Sequence, residues 1–175
     1  SISQPGGTIG GSRAVRLLVV APHFESFVRG QVETVLPQAQ HTEALVLRPR
    51  FAVRDRQRTS VIGRGRDLAI PRREFRSPFL SVRWRRPMYR LSRAIRTVRH
   101  SLDGSRADVA HAHFLYPAGV VTAKAAEIER VPCVVTGHGF DVYALPFKNR
   151  FWRNELSASL QSCAAVIAVS KANAD

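Results

Sequence analysis

Long apolar runs are missing from this sequence, and so are most of the residues that staple or metallate a small fold. Apolar segments such as Val15 to Ala21 are of strand length, well short of the ~20 residues that cross a bilayer as a helix. A membrane-spanning helix is therefore excluded. There are only two cysteines, Cys133 and Cys163, each in or beside an apolar strand pattern, where cysteine behaves as a small buried hydrophobe. Neither belongs to a Cys-x-x-Cys pair or to a metal-ligand spacing, which argues against structural zinc and redox roles and for a reducing, cytoplasmic setting. Residues 1–12 have neither the basic start nor the apolar centre of a secretory leader. They are expected to form a flexible lead, with the fold occupying residues 13–175, a length that suits one domain.

Negative charge is the other scarcity. Against 13 acidic residues stand 27 basic ones, giving a formal charge of +14. Of the basic residues 24 are arginine and 3 lysine, and 18 of the arginines lie between Arg48 and Arg106, opposed there only by Asp55, Asp67, Glu74 and Asp103. Genomic base composition can favour arginine over lysine, but it does not gather arginine into one region. Such a segment attracts phosphate groups, acidic lipid head groups or nucleic acid. Nucleic acid is the weakest of the three: single-strand binders interleave stacking aromatics with charge, here only Phe51, Phe75, Phe79, Trp84 and Tyr89 could serve, and no nucleic-acid-binding motif is recognisable.

The remaining pattern alternates strands and helices. Arg16 to Ala21 is a continuous apolar strand, as in a parallel sheet buried on both faces. Ser26 is placed to cap a helix carrying Val28, Val32, Val35 and Leu36, which Pro37 helps to end. Ala44 to Leu47 predicts the second strand. Residues 48–81, broken by Gly63, Gly65, Pro71 and Pro78, predict one short strand and a long irregular loop. From Pro87 to Leu102 an apolar stripe of Met88, Leu91, Ile95, Val98 and Leu102 predicts a basic helix ended by Asp103-Gly104. Its stripe can pack on the sheet or, with Trp84, lie on an acidic membrane. Strands at Asp108–His113, Cys133–Thr136 and Ala165–Val169 alternate with helices at Pro117–Arg130 and Asn149–Ser162. This rhythm predicts an α/β fold, a Rossmann-like, doubly wound and mostly parallel sheet flanked by helices. Ser170 would cap a further helix, yet only five residues follow it, too few for a stable turn. The expectation is a chain cut from a longer one.

Two strand ends carry candidate chemistry. His111 and His113 alternate with Ala110 and Ala112 and so share a face. A metal would need a third or fourth ligand, and none stands at a supporting spacing. The loop from Phe114 to Gly119 feeds a helix N-terminus able to receive an anionic or polar group, with Gly119 allowing that helix close to the sheet. The strand Cys133–Thr136 then runs into Gly137-His138-Gly139, which presents one imidazole at the carboxyl edge of the sheet, where open α/β sheets bind ligands. The glycines permit a sharp bend or a close ligand approach; a histidine simply hydrogen-bonded within the loop is the alternative.

The segments Asp108 to Gly119, Val134 to Asp141 and Ala164 to Ser170, in that order and spacing, resemble the N-terminal domain of family 4 retaining glycosyltransferases of the GT-B fold. Ser26-Phe27-Val28 with Gln31 is also similar to the opening helix of a subgroup that builds exopolysaccharides. The resemblance covers most of residues 15–175 except the arginine-rich middle. It implies a two-domain enzyme with a cleft between Rossmann-like halves, the N-terminal half binding the acceptor and an absent C-terminal half binding the nucleotide-sugar. It gives His138 the catalytic place facing the cleft, near the reacting centre of the donor sugar. His113, Gly137, Gly139, Asp141 and Ser26 are the implied substrate-binding positions, His113 on the acceptor side and Asp141 equally suited to capping the loop. Neither cofactor nor metal is implied, the nucleotide-sugar being a substrate. The acceptor would be a sugar or a lipid-linked sugar, and the arginine-rich segment would hold the protein peripherally at the inner face of the membrane.

Two features depart from the family pattern. Many relatives place a Gly-Gly pair after the first strand, near the donor diphosphate, where this chain has Pro22-His23-Phe24-Glu25-Ser26. The paired glutamates and nucleotide pocket belong to the C-terminal domain, so the isolated chain is expected to be inactive. The competing reading is a non-catalytic basic α/β module that binds anionic membrane or nucleic acid.

Overall fold

The computed structural model describes residues 15–24, 26–50, 60–63, 66–70, 72–80 and 91–171. The expected lead at 1–12, and Trp84 and Pro87 with their surroundings, lie outside the described residues.

Six parallel strands form the sheet: β1 (Val15–Ala21), β2 (Ala39–Arg48), β5 (Arg72–Arg76), β6 (Val109–His113), β7 (Cys133–Gly137) and β8 (Ala165–Ala168). Their order across the sheet is β5-β2-β1-β6-β7-β8. The chain first winds outward from β1 in one direction and then, from β6, in the other, which is the doubly wound Rossmann order. A separate antiparallel pair joins β3 (Ser60–Gly63) to β4 (Arg66–Ala69). The helices are α1 (Ser26–Val35), α2 (Ser92–Ser105), α3 (Val120–Glu129), the short α4 (Phe140–Tyr143) and α5 (Arg150–Gln161).

Alternation along β1 divides the core in two. Leu17, Val19 and Ala21 face α1 through Val28 and Val32, whereas Leu18 and Val20 join Leu45, Leu47, Val98, Leu102, Val121 and Trp152 beneath α2, α3 and α5. Burial on both faces is why β1 reads as unbroken apolar sequence.

Four sequence expectations are corrected. The second strand starts at Ala39 rather than Ala44, because Arg16, Leu17 and Leu18 pair with His41, Thr42 and Glu43 through backbone groups that are indifferent to side-chain polarity. The described residues of 48–81 hold three strands and a 3-10 turn at Pro78–Leu80, where one short strand was expected. The helix α2 runs past Asp103-Gly104 to Ser105, since its buried face continues through Ser101, Leu102 and Ser105; left-handed Arg106 (φ 49°) closes it. The helix expected from Pro117 begins at Val120, after a wide turn over Leu115–Gly119 in which Tyr116 is extended and the Tyr116–Pro117 peptide is cis. That detour lets the buried Tyr116 hydroxyl donate to the Phe79 carbonyl at 3.0 Å while its ring meets Trp152 edge-on. Burial pushes the Tyr116 hydroxyl up to about 12.

Gly119 has the expected role. A Cβ there would stand 2.9 Å from the Phe114 carbonyl oxygen and 3.1 Å from Val135 Cγ1, so the start of α3 lies against the sheet only because the side chain is absent. Gly104, within α2, has nothing within 4 Å of its would-be Cβ. Gly119→Ala is expected to lower the unfolding free energy by about 1–3 kcal/mol through overpacking, while Gly104→Ala raises it by about 0.5–1 kcal/mol through helix propensity. Urea midpoints of the two variants test both signs.

Candidate functional site

The outward and return windings part between β1 and β6, and ligands of open α/β sheets collect beyond the carboxyl ends of strands at such a point. Three loops meet there. His23 follows β1, Phe114 follows β6 and His138 follows β7. The His23 and Phe114 rings meet edge-on with centroids 4.8 Å apart, and the Phe114 and His138 rings lie 4.6 Å apart. Phe114 holds a left-handed backbone (φ 71°), a strain of about 1–3 kcal/mol of the kind that collects at functional sites.

Beneath this rim lie the two strand histidines, brought to one face by the two-residue period of β6. Their rings are 4.3 Å apart. His113 is 0 % exposed, and its Nδ1 is 3.1 Å from Nε2 of His138, so the two rings share one proton. His111 Nε2 lies 2.8 Å from the Thr136 hydroxyl. Burial, followed by the like charge of His138, lowers His111 to about 4. Burial, then His111, then His138 lower His113 to about 2. For His138 burial dominates and lowers the pKa, Asp141 opposes it, and His23 adds to the lowering. The cluster is therefore uncharged near neutral pH, able to donate and accept hydrogen bonds but not to act as a set of cations.

Asp141 lies 4 % exposed on α4. One carboxylate oxygen accepts from the Leu115 N–H at 2.6 Å and the other from the His138 N–H at 3.2 Å. It thus has the loop-capping geometry, binding the loop after β6 to the loop after β7. The glycines around His138 answer to space at Gly137 and to backbone conformation at Gly139. A Cβ on Gly137 would lie 2.5 Å from Val142 Cγ2, and Gly139, at φ 138°, has the Tyr143 hydroxyl 3.0 Å from its would-be Cβ. In the turn before the helix N-terminus expected to receive an anionic or polar group, the backbone amides of Phe114, Leu115 and Gly119 donate to Thr136 O, Asp141 and Phe114 O. Ser26 opens α1 after the β1 loop, and its side chain lies outside the described residues. Among the described residues no three His, Cys, Asp or Glu side chains are arranged to hold a metal.

Sequence reasoning placed His138, His113 and Asp141 together but passed over His23 and Phe114 as site members. The available signal was position: each lies within two residues of the end of a strand adjoining the point where the sheet reverses. Asp141→Asn keeps one accepting oxygen and sets a donor against a buried N–H. It is expected to lower stability by about 1–3 kcal/mol, measured by urea unfolding, whereas exposed Asp103→Asn stays within about 0.5 kcal/mol. Equal stability of the two variants would remove the capping role.

The known proteins similar to this chain agree with the architecture. A stretch of 89 residues, 51% of the chain, is 30% identical to TuaC of Bacillus subtilis (strain 168), which bears the name of a teichuronic acid biosynthesis glycosyltransferase, and spans 23% of that protein. Among solved structures, the UDP-N-acetylglucosamine 2-epimerase of Rickettsia bellii matches 92% of this chain with a TM-score of 0.56 at 8% identity. The UDP-GlcNAc 2-epimerase of Methanocaldococcus jannaschii matches 90% with a TM-score of 0.53 at 6% identity. In both, this chain spans 40% of the solved protein, and at such identities the likeness is one of fold. The sequence profile of Glycosyltransferase Family 4 matches residues 31–175, nearly the whole sheet and all three histidine-bearing and aspartate-bearing segments from β6 to α4, so the chain belongs to that family.

Proposed function

We propose that this chain is the acceptor-side half of a glycosyltransferase that moves a sugar from a nucleotide-sugar with retention of anomeric configuration. The observation that carries the reading is His138, held half-buried at the carboxyl edge of the sheet by Asp141 and supported from below by His113. The chain spans about a quarter of TuaC and two fifths of the similar solved structures, which leaves room for a second domain bearing the nucleotide pocket. Retention follows the family's retaining character. The name of TuaC supports a pathway that builds a polysaccharide or glycolipid.

In this reading His138 hydrogen-bonds the donor sugar near the reacting centre, and the N-terminus of α1, at Ser26, faces the donor phosphates. His113 has no exposed surface of its own and acts on the acceptor side through His138. An uncharged imidazole suits hydrogen bonding to a sugar hydroxyl, which must be gripped without being ionised. In the segment that follows His138, Phe140, Tyr143 and Phe147 are 58%, 63% and 71% exposed, and Lys148 and Arg150 are exposed after them in the chain. Such an apolar and basic rim, together with the arginine-rich segment 48–106, favours a lipid-linked acceptor and peripheral contact with an acidic membrane. No helix among the described residues is long and apolar enough to cross one.

His138→Ala in the two-domain parent protein is expected to reduce sugar transfer by roughly 10²–10³-fold, the usual cost of one positioned hydrogen-bonding group, with the isolated chain showing no transfer. Turnover within a factor of about two of the parent would take His138 out of the reaction. For the membrane contact, sedimentation with acidic vesicles at low salt should carry the protein down and neutral vesicles should not, with release as salt rises. Equal binding to both vesicle types, or none, would sink the membrane part of the reading.

A further inference from the structure

The contact between His113 and His138 fixes more than distance. Nδ1 of His113 and Nε2 of His138 stand 3.1 Å apart, and between two neutral imidazoles that gap holds one proton. It belongs to one ring or to the other, and each choice dictates the second nitrogen of both rings. If His138 donates, His113 must carry its own proton on Nε2. That nitrogen is buried and has no hydrogen-bond partner, so the N–H would be an orphan donor. If His113 donates, its Nε2 carries only a lone pair. Orphaned buried N–H groups are rarer in proteins than under-satisfied acceptors. Charging His113 to make both nitrogens donors is opposed by its complete enclosure and by the neighbouring His111 ring 4.3 Å away.

We infer that His113 is a positioning residue that donates its Nδ1–H to Nε2 of His138, so that the His138 ring carries its single proton on Nδ1. This is the tautomer less populated by free histidine in water. A substrate oxygen meeting Nδ1 of His138 meets an N–H donor, and Nε2 is already engaged by His113 and cannot serve as a base. His138 therefore polarises or orients an oxygen rather than removing its proton.

The inference rests on the placing of His138 at the cleft, but its test needs neither donor, acceptor nor second domain. Long-range proton–nitrogen correlation spectra of the chain with ¹⁵N-labelled histidine, at slightly alkaline pH and assigned through His138→Gln, report which nitrogen of each ring bears the proton. The expected spectrum shows protonated Nδ1 and bare Nε2 for both His138 and His113. In His113→Phe, which fills the space without a donor, His138 should move to the Nε2-protonated form. A wild-type His138 protonated on Nε2, or a His138 unchanged by His113→Phe, would overturn the inference. Should the Phe variant not fold, the wild-type spectrum alone decides between the two tautomers. A parent enzyme that transfers sugar equally well without His138 would remove the catalytic reading and leave this tautomer assignment standing.

Discussion

One buried carboxylate holds the site together. Asp141 accepts from the backbone of Leu115 with one oxygen and from the backbone of His138 with the other, joining loops that follow neighbouring strands. A carboxylate at 4 % exposure is costly unless both oxygens are satisfied, and here each receives an N–H. Because the bond to His138 is made to its main chain, the ring is left to the neighbours at its side, His113 and Phe114. Gly137 leaves room for this arrangement: a Cβ there would stand 2.5 Å from Cγ2 of Val142, the residue after Asp141.

The sheet supplies the rest by topology. A strand order that reverses between β1 and β6 opens a gap beyond their carboxyl ends. His23 and Phe114 reach across that gap from opposite sides and meet edge-on. The floor is made by β6, whose alternation turns His111 and His113 to the same side while Ala110 and Ala112 occupy the other face among the core residues. Two alanines on that face allow α2 and α3 to sit close. Small residues on one side and imidazoles on the other are two consequences of a single five-residue strand.

Much of this was legible in the sequence, for identifiable reasons. The strands β1, β6, β7 and β8 are short apolar runs, the helix over Val28–Leu36 follows a helical stripe, and the helix expected at Asn149–Ser162 is α5, where the Asn149 side chain accepts from the Trp152 N–H at 3.1 Å. What was not legible lay where tertiary contacts override local pattern. Polar residues 40–43 gave no strand signal because their pairing with β1 is a backbone matter. Arg106 and Arg130 take left-handed conformations that a sequence reader assigns to glycine. Pro117 resembled a helix start, but the burial of Tyr116 against Phe79 and Trp152 delays the helix by one short turn. At the site, motif order found His138, His113 and Asp141, whereas the shared proton and the double backbone cap are properties of distance that no spacing encodes.

The histidines also show how one fold grades a single side-chain type. His111 and His113 lose their basicity chiefly to burial, His113 the more so because it stands between two other rings. His138 is lowered as well, but it alone has an anion pulling the other way, and that anion is Asp141. The pull is limited by geometry, since both Asp141 oxygens are already committed to backbone donors and the carboxylate acts on the ring only through space. On the opposite side His23 works against it. An imidazole between these influences stays neutral without being sealed away, which keeps it available to an uncharged partner at the edge of the sheet. The constraint that fixes the loop is therefore also the one that keeps the ring from becoming as inert as the two histidines beneath it.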